Sequence, residues 1–289
     1  MPVVLCAVSP HPPIVVPYVG RMEGEKAKET QYAMVEIGGR IKDSKVDTVV
    51  IISPHAPMFQ DAVGINALPT LAGDFGKFGA GFVKFELKND LPLVAEIKKQ
   101  AEGLGFNVLA MDDHVARRYD LDLSLDHGAM VPLFFMEEGG TIKPLVLVSM
   151  TVDSPEQLYL FGLAVRQASD ILDRRVAILA SGDLSHYLSN EGPYGYNPRG
   201  EEFDLEIIRL LGEADFEGIV TMDQNLVQEA GECGYRSIVM MLGALDGYDV
   251  KSDVLSYEGP FGVGYMVAII DPLTPNPERA LVDKLQKKK

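Results

Sequence analysis

VVIISPHAP, residues 49–57, is the stretch from which the fold can be read. Val49, Val50, Ile51 and Ile52 are consecutive β-branched residues without polar alternation, the pattern of a strand buried on both faces. Such a strand belongs to a parallel or mixed sheet with helices on either side. Pro54 and Pro57 end it, because neither can donate a ladder hydrogen bond and both fix φ. His55 is therefore held in a stiff loop at the carboxyl end of a central strand, where open α/β sheets bind ligands.

The same arrangement occurs earlier. VVLCAVSPHPP, residues 3–13, is another apolar run that ends in Ser-Pro-His with prolines close behind, and it delivers His11 as the later copy delivers His55. Two imidazoles in the same prolyl frame, converging at one sheet edge, are a candidate metal pair. No other internal repeat accompanies them.

Outward from these strands, the chain reads as a single α/β domain, a central mostly parallel or mixed sheet flanked by helices on both faces. Residues 23–42 predict a crossover helix. Residues 63–68 and 82–87 predict strands on either side of the glycine-rich loop GDFGKFGAG, which lacks both GxGxxG and GxxxxGK and so is not a phosphate loop. A helix over 91–102, a strand over 106–111 and a helix over 130–136 follow, then a strand over 144–149 and an amphipathic helix over 155–172. The strand 176–180 runs into SGDLSHYL, which brings His186 to a strand end as well. Helices over 201–211 and 216–222, a turn and helix within 230–245, and strands over 254–258 and 262–270 complete the domain, expected to span 1–272 with a tail over 273–289.

With 289 residues and 47% hydrophobic content the chain can bury one large core, and no low-complexity linker divides it. A formal net charge of -16 excludes a nucleic-acid partner, whose phosphates require clustered Lys and Arg. The one basic cluster, Lys287 to Lys289, reads as a solvated tail. Two cysteines, Cys6 and Cys233, form no disulfide framework and no CxxC, and no apolar run is long enough for a bilayer. Cytoplasm is the expected location.

The chemistry falls to five histidines, His11, His55, His114, His127 and His186. Two histidines on one ion need a third ligand and leave positions open for substrate. A carboxylate in that place makes the facial triad of non-haem Fe(II) enzymes, whereas Cys or a third His favours Zn. Glu232, in the turn Ala230-Gly231-Glu232-Cys233-Gly234, is the leading carboxylate, and it could equally serve the dipole of the helix that follows. Cys233 is its immediate competitor, ahead of Glu258 and Glu229. His186 and His127 are then free for proton transfer, since imidazole titrates near neutrality. Asp126 beside His127 reads as a helix cap or a partner to a neighbouring group, Asp183 as a turn or cap residue ahead of a role in orienting His186 or binding metal, and His114 as an ordinary loop residue. Ser181 lacks a GxSxG elbow, which argues against serine hydrolysis.

Taken in order, SPHPP, SPHAP, LDHGAMVPL, SGDLSH and AGECGYRSI resemble the class III extradiol ring-cleavage dioxygenases, the superfamily that contains the protocatechuate 4,5-dioxygenase β subunit and the Memo-type proteins. The resemblance spans nearly the whole chain. It implies His11 and His55 as metal ligands, His186 as catalytic acid/base and His127 as the active-site histidine of the Asp-His-Gly motif. Dioxygenases of this kind carry a glutamate as third ligand and Memo-type proteins a cysteine followed by glycine; this chain has both, Glu232 and Cys233, side by side.

The activity implied is Fe(II)-dependent cleavage of a catecholic ring by O2, with a small aromatic molecule as substrate and His186 moving the phenolic proton. A carboxylated substrate would call for a cationic clamp, with Arg117, Arg118 and Arg236 as candidates. A homo-oligomer or a small partner subunit could complete the pocket. The alternatives are a Memo-like metal-binding, redox or partner-binding protein without ring cleavage, and a zinc hydrolase.

Overall fold

Val49–Ile52 form the middle of strand β2 (Thr48–Ser53), every residue of which is buried. In the computed structural model, which describes residues 2–286, the chain opens with β1 (Val3–Ser9), helices α1 (Pro17–Gly24) and α2 (Lys28–Asp43), and then β2. Strands β3 (Val63–Asn66), β4 (Thr70–Phe75) and β5 (Ala80–Lys88) lead to α3 (Leu91–Gly103), β6 (Val108–Met111), α4 (Asp113–Tyr119) and α5 (His127–Glu138). Next come β7 (Leu145–Ser149), α6 (Pro155–Ile171), β8 (Val176–Ser181) and a small pair, β9 (Leu188–Ser189) and β10 (Gly195–Tyr196). Helices α7 (Pro198–Gly212), α8 (Phe216–Val220), α9 (Gln224–Ala230) and α10 (Tyr235–Gly243) precede β11 (Tyr248–Glu258), β12 (Tyr265–Pro275) and α11 (Val282–Gln286).

Eight of these strands make one sheet in the order β11-β12-β1-β8-β2-β7-β3-β6. The middle four, β1, β8, β2 and β7, are mutually parallel, while β3 and β12 join antiparallel on either side. This is the single-domain mixed α/β sheet expected from the β-branched runs. Ser9 lies opposite Ser181, and Ser53 opposite Ser149, so the parallel strands end at a common edge. Everything chemical in the chain hangs from that edge.

Both sheet faces are covered, which is why β2 shows no polar alternation. Val50 and Ile52 point into a core shared with α3, α6, α7 and α10, and Val49 and Ile51 into a second core with α2, α5 and the β4–β5 hairpin. Full burial of one such side chain stabilises the fold by roughly 1.5–3 kcal/mol. No helix among the described residues is long and apolar enough to cross a membrane.

Several expected elements shift. The crossover over 23–42 is divided into the end of α1, a 3-10 turn at Glu25–Ala27, and α2. The glycine-rich stretch is only partly loop: its first residues belong to β4, which pairs with β5 apart from the main sheet, whereas β3 joins that sheet beside β6 and β7. Gly73 sits in β4 because a Cβ there would come within 2.8 Å of the Leu125 Cβ. Helix α4 arises in a polar passage with no apolar period, where the Asp112 carboxylate accepts from the His114 and Val115 N–H groups and starts the turn. Residues 273–275 continue β12, and Leu281 and Leu285 are buried against the core. Lys287 to Lys289 lie outside the described residues.

Candidate metal centre

His11 follows the end of β1 by two residues and His55 follows the end of β2 by two, so the parallel strands carry them to the same place. Their Nε2 atoms are 3.0 Å apart. His11 is buried at 2% exposure, and its backbone N–H donates to Asp183 Oδ1 at 2.9 Å. The Ser181 hydroxyl donates to the Gly128 carbonyl at 2.6 Å and stands 2.9 Å from His11 Nδ1. Because its one proton is committed to Gly128, Ser181 can only accept from His11, which places the imidazole proton on Nδ1 and leaves the Nε2 lone pair free.

His55 is set by a different route. Its N–H donates to Ser53 Oγ at 3.2 Å, and that hydroxyl donates to Asp126 Oδ1 at 2.6 Å. Asp126 also accepts from the Ala129 N–H and so caps α5, which begins at His127. The cap thus does two things: it starts the helix and aims His127 at the other rings. His55 and His127 have ring centroids 4.0 Å apart, and His11 and His127 5.4 Å. Gly128 is required here, since a Cβ would fall 2.4 Å from Ser53 Oγ.

The turn after α9 supplies sulfur rather than a carboxylate. Cys233 Sγ is 3.6 Å from His11 Nε2 and accepts from the Asp183 N–H at 3.2 Å. A close contact of two glycines brings it there: a Cβ on Gly182 would meet Gly234 Cα at 2.1 Å. Glu232 is turned the other way. Its carboxylate accepts from the Tyr235 N–H at the start of α10 and borders a separate cavity with Arg236. The weaker candidates are engaged elsewhere, Glu258 with Thr30 and Glu229 with Arg199, and His114 is exposed on α4.

Burial dominates the electrostatics. It holds the His11 imidazole well below its ordinary pKa, with the neighbouring histidines adding to the effect, and it pushes His127 down to about 4. His55 and His186 are lowered for the same reason. All four rings are therefore neutral at pH 7, the state in which imidazole offers a lone pair. Burial also raises Asp183 to about 7 and the Cys233 thiol well above its usual value. A divalent cation reverses that preference, because thiolate and carboxylate are the forms that bind it.

The donors fit such a cation. His11, His55 and His127 form one group whose ligand atoms lie within 4.8 Å of one another, and His11, Asp183 and Cys233 form a second; His11 is common to both, while His55 and Cys233 fall in different groups. The two Nε2 atoms, 3.0 Å apart, are close enough to bind one ion together. Asp183 has the signature of a turn residue in the sequence, with metal binding as its second reading, and the return of β8 beside β1 brings it to His11 and Cys233.

A cavity of about 420 Å³ opens onto these groups. His186 lines it together with Pro12 and Pro13, and Tyr194, Phe261 and Tyr265 add aromatic surface. The His186 ring is stacked on Tyr194 at 5.1 Å and 24°. The sheet edge thus gathers His11, His55, His127, His186 and Cys233 around one space and leaves Glu232 outside it.

Comparisons with known proteins bear on the fold and the family. An Escherichia coli K12 protein described as uncharacterized superposes with a TM-score of 0.65 at 15% identity, covering 93% of this chain and 99% of its own, a likeness of fold. A Clostridium acetobutylicum protein is 40% identical over 258 residues, 89% of this chain; the chain spans 55% of that protein's length. The 3,4-dihydroxyphenylacetate 2,3-dioxygenase of Escherichia coli is 26% identical over 238 residues, covering 75% of this chain and 80% of the enzyme. A MEMO1 family protein of Pyrococcus abyssi is 27% identical over 236 residues, covering 75% of this chain and 71% of that protein. The family model for the catalytic LigB subunit of aromatic ring-opening dioxygenase matches residues 5–268. The chain belongs to that family, in which both dioxygenases and Memo-type proteins are its relatives.

Proposed function

We propose that the chain is a non-haem Fe(II) enzyme that opens a catecholic ring with O2, holding the ion through His11 and His55, with Cys233, drawn in from the His11–Asp183–Cys233 group, as third ligand in place of the carboxylate of the usual triad. The observation that carries this reading is the 3.0 Å approach of the His11 and His55 Nε2 atoms at the mouth of an aromatic-walled cavity. Cys233 is preferred to Glu232 as third ligand because its sulfur stands 3.6 Å from His11 Nε2 while the Glu232 carboxylate is used at the start of α10. A bound ferrous ion would supply Lewis acidity toward the two catechol oxygens and the electron transfer that O2 requires.

The protein's own part is orientation and proton transfer. Tyr194, Phe261 and Tyr265 offer flat surfaces to an aromatic ring and keep bulk water from it. His186, neutral at pH 7 and stacked on Tyr194, accepts the phenolic proton at a ring nitrogen and later returns it. His127 lies against His55 and serves as the second polar group beside the substrate.

Anaerobic purification with iron, followed by oxygen uptake across a panel of catechols, tests the reading. Uptake with formation of a coloured open-chain semialdehyde is expected. No uptake by the iron-loaded protein with any diphenol would overturn it. The position of Cys233 favours one second reading, a Memo-like protein that binds metal without cleaving rings, which would hold iron tightly and consume no oxygen.

A further inference from the structure

Apart from the metal ion, the space around the histidines is short of positive charge. Among the residues that line the 420 Å³ cavity there is no lysine or arginine, and its one acidic side chain is Asp183, 6% exposed, with its Oδ1 on the His11 N–H. A second cavity, of about 590 Å³, shares His55 and His127 with the first, so the two meet at that pair of rings. A substituent long enough to pass these two rings from the first cavity would enter the second. There it finds Asp74, Asp120 and Asp122, with Lys77 as the one cation in the wall. Lys77 Nζ lies 3.5 Å from Asp122 Oδ2, so it faces a carboxylate already.

The arginines that a carboxylated substrate would call for are elsewhere. Neither Arg117 nor Arg118 lines either cavity, and Arg236 borders the separate space beside Glu232. A carboxylate brought into these cavities loses water and gains no bidentate partner, while it meets like charge from several directions. The chain's net charge of -16 adds a long-range field of the same sign. An uncharged substituent escapes the repulsion, and an ammonium group reverses it.

We propose that this site takes catechols whose substituent is uncharged or cationic and rejects those that carry a carboxylate. The inference rests on the ring-cleavage reading but is separable from it. It sets this chain apart from its relative named for 3,4-dihydroxyphenylacetate, an anionic catechol.

Binding, rather than turnover, is the readout. Iron-loaded protein is titrated without oxygen in a calorimeter with 4-methylcatechol, dopamine and 3,4-dihydroxyphenylacetate. The neutral and cationic probes are expected to bind about tenfold or more tightly than the acid, the size that one or two like charges at these separations produce. The gap should narrow at high salt, as repulsion is screened. It should narrow also in Ser124→Arg, which adds a cation to the wall of the second cavity at an exposed position. Equal or tighter binding of the acid by the unaltered protein overturns the charge selection and leaves the ring-cleavage reading standing. Binding of none of the three overturns that reading, and the selection falls with it.

Discussion

Ser181 Oγ accepts the Nδ1 proton of His11 while it donates to the Gly128 carbonyl, and through that one hydroxyl the end of β8 fixes which nitrogen of His11 faces Cys233 and His55. Ser181→Ala removes the acceptor and leaves the buried Gly128 carbonyl without its donor. The expected cost is about 1–3 kcal/mol of stability and a loss of metal affinity of about 10–100-fold. Thermal unfolding and metal titration measure the two effects. Nitrogen NMR of the metal-free variant should show His11 as a mixture of tautomers, where the parent shows the Nδ1–H form alone.

Cys233→Ser and Glu232→Gln separate two neighbours in one turn. Cys233→Ser should release the metal, because hydroxyl is a far poorer ligand than thiolate at neutral pH. Glu232→Gln should keep it, since glutamine can still accept from the Tyr235 N–H and the side chain is not on the site. Metal content after gel filtration is the measurement. Metal loss from Glu232→Gln alone would reverse the assignment.

Gly128→Ala should unsettle two supports of the centre at once. The added methyl would sit 2.4 Å from Ser53 Oγ and 2.8 Å from Asp126 Oδ1, the pair that positions the His55 loop and caps α5. Overpacking of this kind costs about 1–3 kcal/mol. A lower melting temperature together with weakened metal binding is expected, and retention of both at the parent level would show that the loop has room to move.

Asp204 gives a pH dependence with a definite sign. Its carboxyl is fully buried, accepts from the Ser185 N–H and the Tyr257 hydroxyl, and is pushed up to about 7 by burial. The folded state therefore binds its proton more tightly than the unfolded chain, where the value is near 3.8. Its contribution to stability is whole below about pH 4 and is lost as pH rises through 7. Asp204→Asn, which cannot titrate, should lose less stability than the parent between pH 5 and pH 8 in calorimetry. Parallel pH profiles for the two proteins would contradict this.

The sheet and the histidine pair were legible because their signals are local. Four β-branched residues with no polar partner can be satisfied only between two helical layers, and each Ser-Pro-His turn stops a strand where it stands. Glu232 and Cys233 were not separable by the same means. Which of two adjacent side chains faces β1 is decided by the Gly182–Gly234 contact, between residues far apart in sequence. Asp183 was likewise undecided between turn and ligand, since its place beside His11 depends on pairing of β8 with β1. The β4 strand is masked in the sequence because Gly73, at the head of a glycine-rich stretch that normally signals a loop, is there to admit Leu125.

The central claim is that His11, His55 and Cys233 hold one metal ion. A crystal of the iron-loaded protein, with diffraction recorded on both sides of the iron absorption edge, addresses it in a single anomalous difference map. One peak is expected, within bonding distance of both histidine Nε2 atoms and of the Cys233 sulfur. A peak in the cavity beside Glu232 and Arg236, or no peak within bonding distance of His11 and His55, would contradict the claim.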